Sequence, residues 1–299
     1  VASQRSRELF PLRLFYTANV FRHENPQAGR YREFYQAGIE LIGTDTGRAD
    51  AEVIILASEA LRTLGVEDFK VGIGQVQLVD LILENSSLLS ECRSRLKQSI
   101  ANKDYVSVNK IIESAGVPKD EEDLLRSLSL VQTGEDFFAR LAAFDFPEVV
   151  EEQVTRLREV YEALTAAGLQ DSVFIDLGIT RDLEYYTGIV FEAYTHALGF
   201  PICGGGRYDN LFSRFGMDCP ATGFALGIER ILLVLEKYGK LPCSKRKEIL
   251  IHGKDFGKVL SRASELRSKG YAVRIDIQGM PEEELNRYAG ITGVQIENV

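Results

Sequence analysis

Four stretches of the 299-residue chain bring together residue types that recognise small charged ligands. In FRHENPQAGRYREFYQAGIE, residues 21–40, strand alternation places Arg32, Phe34, Gln36, Gly38 and Glu40 on one face. Arg22 lies on the opposing segment and Arg30 at the end of the loop between them, so two guanidinium forks converge beside an amide and a carboxylate. Such a set suits a zwitterion carrying a carboxylate or phosphate, because arginine matches these groups bidentately while glutamate receives donors. A surface strand pair laced by exposed ion pairs is the alternative reading of the same letters.

The second stretch, ITRDLEYYTGIVFE (179–192), carries Arg181 and adjacent tyrosines, Tyr185 and Tyr186. On a strand those tyrosines point to opposite faces, so one meets a pocket and the other packs elsewhere. Taken in isolation, this stretch favours a core tyrosine and a surface arginine over a pocket. In CGGGRYD (203–209), Gly204, Gly205 and Gly206 remove every Cβ from the backbone and allow close approach by a ligand or a neighbouring chain. In ATGFALGIER (221–230), Gly223 and Gly227 permit tight packing, and Arg230 stands one helical turn beyond Gly227, aimed at a phosphate or at solvent. Gly72-x-Gly74, between a strand and a helix, lacks the third glycine of a dinucleotide loop.

These residues need a sheet to hold them. An aromatic and β-branched run after Pro11, then REFYQAGIELIG, reads as two strands joined by the Asn-, Pro- and Gly-containing loop after Arg22. DAEVIILASEALRTLG and PEVVEEQVTRLREVYEALTAAG have helical apolar spacing and end at Gly65 and Gly168. FKVGIGQ, VFIDLGI, GIVFEAYTH and PICGGGRYD read as strands, and VQLVDLILE and FALGIERILLVLEKYG as helices. Residues 88–145, polar and charged, resemble an inserted helical subdomain. The mixture predicts an α+β domain with a largely antiparallel sheet over residues 1–243. After it EILIHG, KDFGKVLSRASELRSKG and YAVRIDI predict a βαβ unit in a small α/β domain, 244–299.

Composition narrows the function classes. With 44 acidic against 35 basic side chains the formal charge is −9, a repulsive field for a polyanion. The four cysteines form no Cys-x-x-Cys pair and the three histidines have no metal-ligand spacing, so neither a disulfide framework nor a metal site is expected. No run approaches the ~20 apolar residues of a membrane span, and the first residues lack signal-peptide regions, so a cytoplasmic location is expected.

The four stretches, in this order, resemble the class II aminoacyl-tRNA synthetase fold, specifically the histidyl-tRNA synthetase family. The first resembles motif 2, ITRDLEYYTG the histidine-binding signature, GGGRYD the glycine-rich strand and ATGFALGIER motif 3. The resemblance covers about residues 10–240. It implies that Arg22, Arg30 and Arg230 stand where the synthetase contacts ATP phosphates. It also implies that Gln36 approaches the ligand's α-amino group, that Glu40 and Tyr186 bond the imidazole nitrogens, and that Arg181 meets the carboxylate. A carboxylate with a phenol serves a ring that has two nitrogens and an unfixed tautomer.

Departures from the synthetase pattern then matter. The signature reads TRDLEYYTG, with Asp182 beside Arg181 where the synthetase has glycine, and His23 replaces a tyrosine. About 55 residues follow Ser244, less than a complete anticodon-binding layer. The whole looks most like the ATP phosphoribosyltransferase regulatory subunit family, paralogues of the synthetase. That resemblance implies a non-catalytic subunit of the first step of histidine biosynthesis. It implies a hetero-oligomer with the short-form catalytic subunit, a homodimer within it, and histidine as the regulatory ligand. The short tail and the acidic balance speak against tRNA, and the composition against a membrane or metal partner; the resemblance leaves ATP binding open and places motif 1 before the stretch where this chain begins, so an incomplete N-terminus is expected. The alternative is an active histidyl-tRNA synthetase.

Overall fold

The computed structural model describes residues 10–22, 32–179, 185–241 and 248–299. It divides into two compact units, Val1–Lys240 and Leu241–Val299. The first carries β1 (Leu12–Phe21), β2 (Glu33–Ile42), α1 (Gly47–Thr63), β3 (Lys70–Gln75) and α2 (Leu78–Glu84). Four short helices follow, α3 (Ser90–Ala101), α4 (Tyr105–Ala115), α5 (Lys119–Ser127) and α6 (Gly134–Leu141). Then come α7 (Glu148–Ala166), β4 (Val173–Ile175), β5 (Ile189–Tyr194), β6 (Cys203–Arg207), β7 (Ala221–Gly227) and α8 (Ile228–Lys237).

The strands form one sheet in the order β1-β2-β7-β6-β5-β3-β4. Every neighbouring pair is antiparallel except β3 with β4. One face carries Leu41, Val71, Ile73, Phe191, Ala193, Cys203, Phe224 and Leu226, all buried in the main core. Helix α1 packs against α7 and the β6–β7 side of this face. Thr46 starts α1 by accepting the Ala49 amide on its hydroxyl, and Gly65, at φ +86°, follows its end. In α7 the buried residues Val150, Val154, Leu157, Val160, Tyr161 and Leu164 fall at helical spacing, so one apolar stripe meets the core.

One expectation is corrected. FALG is not the start of a helix: Phe224 and Leu226 alternate with Gly223, Ala225 and Gly227 in the strand β7, and α8 begins only at Ile228. Two apolar side chains both needed on the core face of an interior strand outweigh the helical spacing of the letters that follow. Gly72 and Gly74 lie within β3, in keeping with the strand reading of FKVGIGQ. A Cβ at Gly72 would stand 2.8 Å from the Phe174 ring, and one at Gly74 2.7 Å from the Asp176 carbonyl oxygen, so these glycines admit close packing.

The second unit holds β8 (Glu248–His252), α9 (Phe256–Ser268), β9 (Ala272–Ile275), α10 (Glu282–Thr292) and β10 (Gln295–Asn298). Its parallel sheet runs β10-β8-β9. Beyond the expected βαβ unit, α10 and β10 supply a second crossover. Ile249 and Ile251 pack with α9, while Leu250 packs with Leu285 of α10, so strand alternation divides the two helices between the faces. Among the described residues no helix is long and apolar enough to cross a membrane.

Candidate ligand-binding site

The face of the large sheet opposite α1 is paved with residues that have little or no side chain. Pairing aligns Glu40 with Gly223, Gly223 with Gly206, and Gly206 with Val190. The next row aligns Gly38, Ala225, Gly204, Glu192 and Gly72, and the third starts from Gln36 and Gly227. The floor between β2 and β5 is therefore backbone, overhung by a few polar and aromatic groups from its margins.

Glu40 lies over Gly223, whose own Cβ would collide with the carboxylate. The Tyr208 hydroxyl donates to Glu40 Oε2. Tyr16 of β1 crosses Gly38, its direct partner on β2, and Tyr186 crosses Gly206, 3.0 Å from where a Cβ would stand. Burial pushes the Glu40 carboxyl up to about 7, against the pull of the Tyr208 hydrogen bond. The Tyr16 phenol is pushed up to about 12, first by burial and then by Glu40, and Tyr208 is raised for the same two reasons. Near neutral pH the site thus holds neutral phenols around a carboxyl that gives or takes a proton.

Tyr185 and Tyr186 do not point apart. They precede β5, so strand alternation does not govern them; their ring centroids are 4.7 Å apart, and Tyr185 meets Tyr208 edge-on at 5.7 Å. Three tyrosines form one wall beside Glu40.

Gln36 shares the face with Glu40, as alternation requires. Arg22, continuing β1, sets its guanidinium 5.5 Å from the centre of the Phe34 ring. Arg230, in the first turn of α8, lays its stem over Gly227, places its guanidinium 5.1 Å from the Phe200 ring and donates to the Pro201 carbonyl at 2.6 Å. The fold thus brings Arg22, Gln36, Glu40, Tyr185, Tyr186 and Arg230 to one face, together with Gly204, Gly206 and Gly223. Gly205 belongs to the other side: a Cβ there would meet Phe191 in the core, because alternation turns the middle glycine of three away. Arg30 and Arg181, like His23 and Asp182, lie outside the described residues.

Sequence reasoning missed Tyr16, Tyr208 and the Glu192–Tyr194 pair, which hydrogen-bond each other on the same face. Tyr208 stood inside the quoted CGGGRYD stretch, and counting two residues on from Gly206 along a strand would have placed it above the floor.

A family profile described as histidyl-tRNA synthetase matches residues 1–231. The chain is 44% identical over 295 residues to an ATP phosphoribosyltransferase regulatory subunit of Moorella thermoacetica, a match that covers 99% of this chain and 75% of that protein. The chain belongs to the ATP phosphoribosyltransferase regulatory subunit family. A family member from Caldanaerobacter subterraneus subsp. tengcongensis is 37% identical, over 92% of this chain and 73% of its own length. Among solved structures, an ATP phosphoribosyltransferase regulatory subunit/histidyl-tRNA synthetase from Bacillus halodurans C matches with a TM-score of 0.81 at 30% identity, covering 100% of this chain and 75% of that one. A histidyl-tRNA synthetase from Nostoc sp. matches with a TM-score of 0.76 at 23% identity, covering 98% and 71%, and shares the fold. The α+β class II synthetase-like architecture expected from the sequence is the one observed.

Proposed function

We propose that this chain is a non-catalytic regulatory subunit of an ATP phosphoribosyltransferase, and that the pocket around Glu40 binds histidine as the feedback signal of the first step of histidine biosynthesis. Family membership supports the first part. The observation that carries the second is Glu40 itself: a carboxyl poised near neutral pH, bonded to Tyr208 and flanked by Tyr186 over the glycines Gly206 and Gly223. An imidazole ring also changes protonation near neutrality, so ring and carboxyl share a proton in either direction. Gln36 and, by the family resemblance, Arg181 take the amino and carboxylate ends.

Histidine regulates by preferring one quaternary state of the complex with the short-form catalytic subunit, so that its binding biases the partner's activity. A homodimer of this chain sits within that complex. Calorimetry of the full-length protein with histidine, alone and with the catalytic subunit, tests the reading. Absence of both heat and any change in phosphoribosyltransferase activity would sink it.

A second reading has its own support, since Arg22 with Phe34 and Arg230 with Phe200 lie on the same face as Glu40 and form a cation-and-ring arrangement suited to a nucleotide. Robust histidine-dependent ATP–pyrophosphate exchange would favour an active histidyl-tRNA synthetase over the regulatory role.

A further inference from the structure

The wall of the pocket is hung on a buried ion pair on the other side of the sheet. Arg207, the last residue of β6, is 3% exposed and faces α1, while Tyr208, next in the chain, meets Glu40 on the pocket side. The Arg207 guanidinium donates from Nε to both oxygens of Asp50, at 3.0 and 3.1 Å, and its Nη2 lies 2.9 Å from Oδ1. Its Nη1 donates to Asp209 Oδ1 at 3.0 Å and to the Thr44 carbonyl at 3.1 Å, and its Nη2 to the Thr46 carbonyl at 3.4 Å. One side chain thus ties the end of β6 to the loop after β2 and to the first turn of α1. Burial raises the Asp50 carboxyl above its ordinary value, opposed by Arg207, Arg156 and Thr222.

The residues around Arg207 carry the tyrosines. The Thr187 amide donates to the Arg207 carbonyl at 2.8 Å, and the Asp209 amide donates to the Thr187 hydroxyl at 3.0 Å. Asp209 Oδ1, already bonded to Arg207, also accepts the Ala221 amide at 3.1 Å, and the Tyr208 amide donates to the Ala221 carbonyl at 2.8 Å. Tyr208 is therefore held on both flanks: the guanidinium bonds Asp209 on one side, and the main-chain carbonyl of Arg207 on the other holds Thr187, next to Tyr186. Lysine at this position has a single ammonium and cannot reproduce that planar fork.

We propose that Arg207 is a positioning residue of the pocket: it touches no ligand, but by clamping Asp50, Asp209 and two loop carbonyls it sets the three-tyrosine wall against Glu40. The proposal takes its ligand from the histidine reading above, but its geometry stands apart from it.

The test uses full-length wild type, R207K, R207Q and D209N. The Glu40 carboxyl is titrated by carbon-13 NMR without ligand, and histidine affinity is measured by calorimetry on folded protein. Loss of the Tyr208 hydrogen bond removes the interaction that lowers the Glu40 titration, so its midpoint moves up in the Arg207 variants and moves less in D209N. Histidine Kd rises about tenfold in R207Q, with partial rescue in R207K, the scale for groups coupled in one network. A Glu40 midpoint that stays put and a Kd within about twofold of wild type overturn the proposal even if Tm falls, because a merely structural clamp would change only stability. If the Arg207 variants do not fold, D209N decides by the same two readings. If wild type binds no histidine, the functional reading fails while the titration still decides the role of Arg207.

Discussion

At the scale of single residues, the proposed function rests most heavily on Glu40. On the proposed histidine reading, replacing it with alanine should remove a charge-assisted partner and weaken histidine binding by about 1.5 to 3 kcal/mol, measured as a change in Kd. Its titration also links pH to stability. The folded protein raises this carboxyl from an ordinary 4.5 to about 7, so the native state holds the proton more tightly than the unfolded chain does. That contribution is complete below the ordinary value and is lost as pH rises towards 7. The wild-type minus Glu40→Gln difference in unfolding free energy should therefore fall across this window, and a flat difference would show that Glu40 titrates normally. Histidine binding near neutrality should exchange protons with the buffer. Calorimetric enthalpies that change with buffer ionisation heat report the exchange, and identical enthalpies in all buffers would exclude it. Gln36 and Glu40 were legible as one face because alternation along one strand needs no other strand. Tyr208 was not paired with Glu40 from sequence, because their meeting depends on the joint register of β2, β7 and β6.

At the scale of elements, the glycine-paved strands determine what fits. Gly223→Ala would drive a Cβ into the Glu40 carboxylate and the Ile39 carbonyl, both on the neighbouring strand. Overpacking of this kind costs about 1 to 3 kcal/mol and displaces Glu40, so both thermal stability and histidine affinity should drop. Gly199→Ala, where nothing lies within 4 Å of the added atom, should leave both unchanged. Equal behaviour of the two variants would mean that the floor tolerates side chains. The strands and helices themselves were largely readable from apolar periodicity, and α1 and α7 from their stop glycines. Periodicity failed at FALGIER, where a strand passes directly into a helix and Leu226, Ile228 and Ile231 fit both periods locally. It failed again at the tyrosine pair, where alternation was applied to residues that lie outside any strand.

At the scale of the whole molecule, the small parallel unit has its own stabilising centre. Asp276, with a fully buried carboxylate, bonds His252 Nδ1 at 2.7 Å and accepts the amides of Gln278, Gly279 and Met280. These bonds hold its carboxyl below the ordinary value despite burial, so the stability they contribute is present above that value and is lost as the pH falls through the lowered one. Asp276→Asn leaves a neutral amide facing three backbone donors, which should destabilise this unit by about 2 to 3 kcal/mol. Hydrogen exchange should then speed up within residues 248–299 while protection of β2, β6 and β7 is kept. Uniform loss of protection along the chain would contradict the division into two units. The βαβ pattern of this unit was visible in sequence, but the second crossover was not, since EEELNRYAGIT buries only Leu285 and so shows a weak apolar stripe.

The glycine floor has one more consequence, for how such a pocket changes over time. Backbone cannot be exchanged by substitution, and any side chain added there obstructs the cavity. New preferences must be written in the few overhanging groups, Tyr16, Glu40, Tyr186 and Tyr208. The same sheet can therefore carry a different preference after substitutions confined to its margins.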